Sequence, residues 1–155
     1  SLRLQTGILL SAQDIFKASL LENLTMGNAA ISISEVSALA NVTGLMDFIQ
    51  SQKEGYDTLL DPAGKRLSKK TVQTILLVRA LLGKHRLLLL EEPVHDLDDK
   101  YAENIFDYLK TDITATIIIV TANPKIAETC DKVLWMQNGT VKAAGTWNEI
   151  QSKIN

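Results

Sequence analysis

The chain has 155 residues, a formal net charge of -2 and 46% hydrophobic residues. That is enough apolar material for one packed domain, and the mixed charge gives no sign of a basic nucleic-acid surface. The single cysteine, Cys130, excludes an intramolecular disulfide framework and fits a reducing compartment. A membrane span needs roughly 18 apolar residues; the longest apolar run, Thr74 to Leu90, is interrupted by Arg79 and by Lys84-His85-Arg86. No signal-peptide pattern opens the chain. It reads as a soluble chain able to dock on a membrane protein.

Leu2 to Leu10 predicts a short interior strand, followed by the polar break Ser11-Ala12-Gln13-Asp14. Ser34 is expected to cap a helix with Val36, Leu39 and Ala40 on one face. A second helical stretch, Leu45 to Ile49, follows Gly44, and residues 51–66 are polar and turn-rich. Ser68 is the expected N-cap of a helix over about residues 69–82, stopped by Gly83. Arg86-Leu87-Leu88-Leu89-Leu90-Glu91-Glu92-Pro93 predicts a strand buried on both faces of a parallel sheet. It ends in two carboxylates, and in open α/β sheets chemistry sits at the carboxyl ends of such strands. Adjacent acids there can hold Mg²⁺ and polarise a water.

Asp98 or Asp99 can cap the next helix, which turns Tyr101, Ala102, Ile105, Phe106 and Leu109 inward. Ala115 to Thr121 predicts another fully buried strand, and residues 124–130 a short helical connection. Gln137-Asn138-Gly139 between two apolar runs signals a hairpin, and a last helix is expected near Trp147 to Lys153. The alternation of strand and helix predicts an α/β fold with a mostly parallel sheet.

The order of these signals resembles the nucleotide-binding domain of ABC transporters, from just before the Q-loop onward and over nearly the whole chain. Gln13, followed by Ile15-Phe16 and Glu22-Asn23-Leu24, looks like the Q-loop and its sequel. In the family that glutamine touches Mg²⁺ and the attacking water, and its loop meets the membrane domain. Gly55-Tyr56-Asp57-Thr58, after Asp47-Phe48-Ile49, is similar to the helical subdomain of exporter-type members.

Leu67-Ser68-Lys69-Lys70-Thr71 lies where the signature LSGGQ belongs, and Val78-Arg79-Ala80-Leu81-Leu82 matches the helix after it. The family's serine hydroxyl and glycine amides approach the γ-phosphate of ATP held by the other subunit. That is anion binding at a helix N-terminus. Here both glycines are lysines, whose side chains obstruct close backbone approach and oppose the helix dipole. Leu87 to Pro93 looks like Walker B, with Glu91 in the metal-binding aspartate position and Glu92 in that of the general base. His95-Asp96-Leu97-Asp98 matches the D-loop, with Asp98 conforming. Ala122 stands where the switch histidine should follow a threonine, and neither His85 nor His95 replaces it.

No stretch resembles the P-loop G-x-x-x-x-G-K-[ST], which the family places before the Q-loop. The resemblance therefore implies a P-loop NTPase-like α/β fold whose N-terminal segment is missing, plus an α-helical subdomain. Its divisions would be a Q-loop strand and core at 1–19, a helical subdomain at 20–82, and a Walker B, D-loop and switch-strand core at 83–155. The family's P-loop strand lies between the strands at 115–121 and 131–136, so these are expected to pair directly, to accept a neighbour's strand, or to be rearranged.

The implied function is ATP binding and energy coupling in an exporter-like transporter, impaired in hydrolysis, with ATP and Mg²⁺ as cofactors. Gln13, Ser68, Asp98 and Ala122 are the implied nucleotide positions, Glu91 and Gln13 the metal positions and Glu92 the catalytic one. Implied partners are a transmembrane domain and a second nucleotide-binding domain, with no nucleic acid, at the cytoplasmic side of a membrane. The alternative is a non-catalytic regulatory or interaction module that keeps the domain shape.

Overall fold

The structure is a computed structural model and describes residues 5–154. The expected strand at Leu2 to Leu10 is described only from residue 5, so its first part lies outside the described residues. The chain forms two compact units, Ser1–Val120 and Thr121–Asn155.

The first unit is built on three parallel strands, β1 (Thr6–Leu9), β2 (Leu87–Glu91) and β3 (Thr116–Val120), in the order β1-β2-β3. Parallel neighbours need long crossovers. The first crossover carries the helices α1 (Leu20–Thr25), α2 (Ile33–Thr43), α3 (Leu45–Ser51) and α4 (Lys69–Leu81); the second carries α5 (Asp99–Thr111). Two single-turn 3-10 helices, Gly55–Asp57 and Pro62–Gly64, fill the turn-rich stretch before α4.

The helices α1, α2 and α4 start where a serine side chain satisfies a free backbone amide. Ser19 and Glu22 close a reciprocal capping box on α1. On α2 the cap is Ser32, not Ser34: Ser32 pairs with Glu35, and the Ser34 hydroxyl only reaches the Ser32 Oγ at 2.9 Å. The reason is spacing, because a capping box needs its carboxylate three residues on, and Glu35 stands in that relation to Ser32.

Leu9, Leu88 and Leu90 point into one apolar cluster with Ile75, Leu76, Leu77 and Leu81 of α4 and Ile105 and Leu109 of α5. Close seating of α4 requires Gly7, where a Cβ would come within 2.0 Å of the Ala80 carbonyl oxygen. The opposite face differs from the sequence expectation. Leu87 and Leu89 are only half-buried, while Ile118 and Val120 are 51% and 65% exposed. A parallel sheet buries both faces only when both are covered, and the helices named above pack into the cluster on the other side. Among the described residues β3 stands at the end of this sheet, and the helices of this stretch leave its Ile118 and Val120 side uncovered, where the sequence predicts burial on both sides.

The second unit holds α6 (Pro124–Ala127), the antiparallel hairpin β4 (Val133–Gln137) and β5 (Thr140–Gly145), and α7 (Trp147–Ile150), followed by a 3-10 turn at Gln151–Lys153. Asn138 and Gly139 both take positive φ, 51° and 74°, as a tight two-residue hairpin turn requires. Among the described residues β3 and β4 belong to separate sheets.

Candidate nucleotide-side edge of the parallel sheet

The carboxyl ends of β1 and β2 bring two of the sequence-predicted groups together. Glu91 is the last residue of β2, opposite Val120 of β3. Its Oε2 accepts the Ser11 backbone N–H at 2.8 Å, which ties the turn after β1 to the end of β2. The Ser11 amide, and then its hydroxyl, hold the Glu91 carboxyl below its ordinary value, since both bonds favour the charged form. Ser11 carried no signal in the sequence beyond lying in a polar turn.

Gln13 sits in the same turn with both ends of its amide engaged. Its Nε2 donates to the Ile8 carbonyl and its Oε1 accepts the Leu10 N–H, each at 3.2 Å. The side chain thus continues the hydrogen bonding of β1 past its last residue.

Glu92 follows Glu91 with φ of +43°, a left-handed conformation that costs energy for a residue with a side chain. Its N–H donates to the Val120 carbonyl at 2.9 Å. Its carbonyl accepts the Gln73 Nε2 of α4 at 3.1 Å and the His95 N–H at 3.0 Å. The backbone of Glu92 is thus held from three directions.

Ser68 caps α4, its Oγ accepting the Thr71 N–H at 3.0 Å and lying 2.8 Å from the Thr71 Oγ1. Asp98 is the N-cap residue of α5 by backbone conformation, yet its side chain makes no capping bond. Its carboxylate pairs instead with the Lys70 ammonium of α4. The structure therefore joins the start of α4 to the start of α5 through Lys70 and Asp98. His95 is an exposed loop histidine, its Nε2 3.6 Å from the Asp96 Oδ1. Ala122 lies in the second unit and is exposed, and its methyl group offers no hydrogen bond.

The groups at the sheet edge are carboxylates held on strand ends, suited to cation binding or proton acceptance, and lysines at a helix start. Among the described residues no group of three or more His, Cys, Asp or Glu is placed to hold a metal ion. Sequence reasoning missed Gln73 and the Lys70–Asp98 pair, because each depends on which helices lie side by side.

No protein-family model matches the chain. Among curated proteins it is 31% identical over 154 residues to the alpha-hemolysin translocation ATP-binding protein HlyB of Escherichia coli O157:H7, covering 98% of this chain and 22% of that protein. It is 33% identical over 148 residues to the cyclolysin secretion/processing ATP-binding protein CyaB of Bordetella pertussis (strain Tohama I), covering 94% of this chain and 21% of that protein. It is 32% identical over 140 residues to the glutathione/L-cysteine transport system ATP-binding/permease protein CydD of Bacillus subtilis (strain 168), covering 88% and 24%. The chain thus spans less than a quarter of the length of these relatives. In fold it matches a bacterial Atm1-family ABC exporter solved with ATP bound, with a TM-score of 0.87 and 23% identity, over 99% of this chain and 27% of that one. The chain belongs to the family of ABC exporter ATP-binding proteins.

Proposed function

We propose that this chain acts in ATP binding and energy coupling in an exporter-like ABC transporter, and that its own hydrolytic chemistry is impaired. The observation that carries this reading is the carboxyl edge of the parallel sheet, where Glu91 ends β2 beside the turn of Gln13 and Glu92 follows it. Glu92 takes the role of general base, and Glu91 with Gln13 that of the metal position. Ser68 and Asp98 face a nucleotide of a second nucleotide-binding domain. Ala122 stands at a switch position without a hydrogen-bonding group. On this reading 1–19 and 83–155 form the core and 20–82 the helical subdomain. The segment from Gln13 to Leu24, with the adjoining helical subdomain, docks on a transmembrane domain at the cytoplasmic side of the membrane, with Phe16 exposed upon it.

The family's cofactors are ATP and Mg²⁺, and the donors in this chain do not make a full site for them. One oxygen of Glu91 takes the Ser11 amide and the Gln13 amide is spent on β1. The Ser68 Oγ caps its own helix, and Lys70 is paired with Asp98. These internal bonds also favour a second reading, a non-catalytic module that keeps the domain shape and its docking surface.

ATP turnover by the full-length protein, compared with Glu92→Gln, separates the two. Slow turnover that Glu92→Gln abolishes supports the impaired ATPase. Transport activity without turnover at this site supports the module. Turnover insensitive to Glu92→Gln removes Glu92 from the role of base. Cysteines at Phe16 should crosslink to the membrane domain, and crosslinks confined to residues 138–155 would reject the docking side.

A further inference from the structure

The connection between β2 and α5, residues 92–98, is gripped at both ends by one helix. Lys70 and Gln73 of α4 are three residues apart and so share a face of the helix. Gln73 donates to the carbonyl of Glu92, the first residue of the connection, at 3.1 Å. Lys70 pairs with the carboxylate of Asp98, the last one. The connection between these grips is strained, with φ of +43° at Glu92 and +65° at Asp96. Such conformations persist only where the surroundings over-determine them.

The grip has a backing. The Lys70 Nζ lies 5.9 Å from the centroid of the Tyr101 ring, within cation–π range, and the Lys100 Nζ lies 5.5 Å from it. The ring itself packs against Gly44 at the corner between α2 and α3, where a Cβ would come within 2.5 Å of it. The Tyr101 hydroxyl donates to the Asp47 Oδ2 of α3 at 3.1 Å. A line of contacts thus runs from the α2–α3 corner through Tyr101 and Lys70 to Asp98.

We propose that Lys70 and Gln73 are positioning residues: α4 holds the strained 92–98 connection in one conformation, and parting of the Lys70–Asp98 pair is the step that releases it. This goes beyond the function proposed above, because it concerns how Glu92 and Asp98 are held and not what they act on. The device exists only because a lysine stands at residue 70, since a glycine there would have nothing to reach Asp98 with. It also accounts for the unused capping capacity of Asp98 at the start of α5.

Both partners of the pair are partly exposed, at 42% for Lys70 and 64% for Asp98, so substitutions there leave the core intact. Peptide-level hydrogen exchange of the full-length protein tests the proposal. Lys70→Gln and Asp98→Asn should each speed exchange over residues 93–98 and over the first turn of α4, by roughly two- to fivefold for an exposed pair. The double variant should match the single ones, and Lys70→Arg should retain the protection. Raising the salt concentration should speed exchange in the unaltered protein and not in Asp98→Asn. Gln73→Leu should loosen residues 92–95 while the second unit stays unchanged. Additive effects of the two single variants, an unchanged 93–98 segment in Lys70→Gln, or failure of Lys70→Arg to protect would each overturn the proposal.

Discussion

Asn23→Ala should destabilise the first unit by roughly 3 kcal/mol. Asn23 is fully buried, and its side chain joins three segments. The Oδ1 accepts the Phe16 N–H and the Arg79 Nη2, both at 3.1 Å. The Nδ2 donates to the Phe16 carbonyl at 3.0 Å and to the Ser19 carbonyl at 3.1 Å. Ser19 keeps its helical bond from the Asn23 N–H, so that loss costs little. Both backbone groups of Phe16 and one arm of Arg79 lose a partner, at about 1 kcal/mol each. Arg79 is half-buried, and burial holds its guanidinium below its ordinary pKa, so water replaces the lost bond only in part. It retains the Asn23 carbonyl at 2.7 Å, the Asp14 carbonyl at 3.2 Å and the face of Phe16 at 5.4 Å.

Urea unfolding of the 155-residue chain, followed by circular dichroism, is the assay. With a slope near 2 kcal/mol/M, the midpoint should fall by about 1.5 M at unchanged slope. Asn23→Asp keeps both acceptor bonds but sets an oxygen against the Phe16 and Ser19 carbonyls, so its midpoint should fall as well. A midpoint shift under about 0.3 M would refute the reasoning. So would additivity of Asn23→Ala and Arg79→Ala, since groups in one network must couple.

Gly44→Ala should cost roughly 2–4 kcal/mol, combining a strained backbone with overpacking: φ is +76°, and the new methyl would meet Tyr101 ring atoms at 2.5–2.7 Å. Thermal unfolding measures it, and a loss no larger than that of Gly27→Ala, where φ is +72° in open space, would remove the packing part. The carboxyls of Glu22, Glu35, Glu91 and Glu149 are held below the ordinary glutamate value, chiefly by the backbone amides of Ser19, Ser32, Ser11 and Thr146. A lowered folded value gives stability that is present above the unfolded value and lost as pH falls through the folded one. The melting temperature should therefore decline below about pH 4.5. Glu35→Gln should flatten that decline, and a melting temperature constant down to about pH 3 would contradict it.

The local code of this chain is legible without coordinates. The run Leu87–Leu90 ending in Glu91-Glu92, the Ser68 cap and the Asn138-Gly139 turn each follow from period, capping chemistry or φ preference among near neighbours. The α/β class and the family follow from their order. The tertiary structure decided what depends on partners far apart in sequence. It placed the Ser11 amide on Glu91, 80 residues away, and the Asn23 side chain against Arg79, 56 residues away. It turned the apparent positive charge of Lys70 into one half of a pair with Asp98, 28 residues on. Among the described residues it covered only one side of β3, although Ile117, Ile118 and Ile119 read as buried on both sides. A sequence states how apolar or how charged a residue is. Whether that apolar surface is covered, or that charge answered, is fixed only when the helices take their places on the sheet.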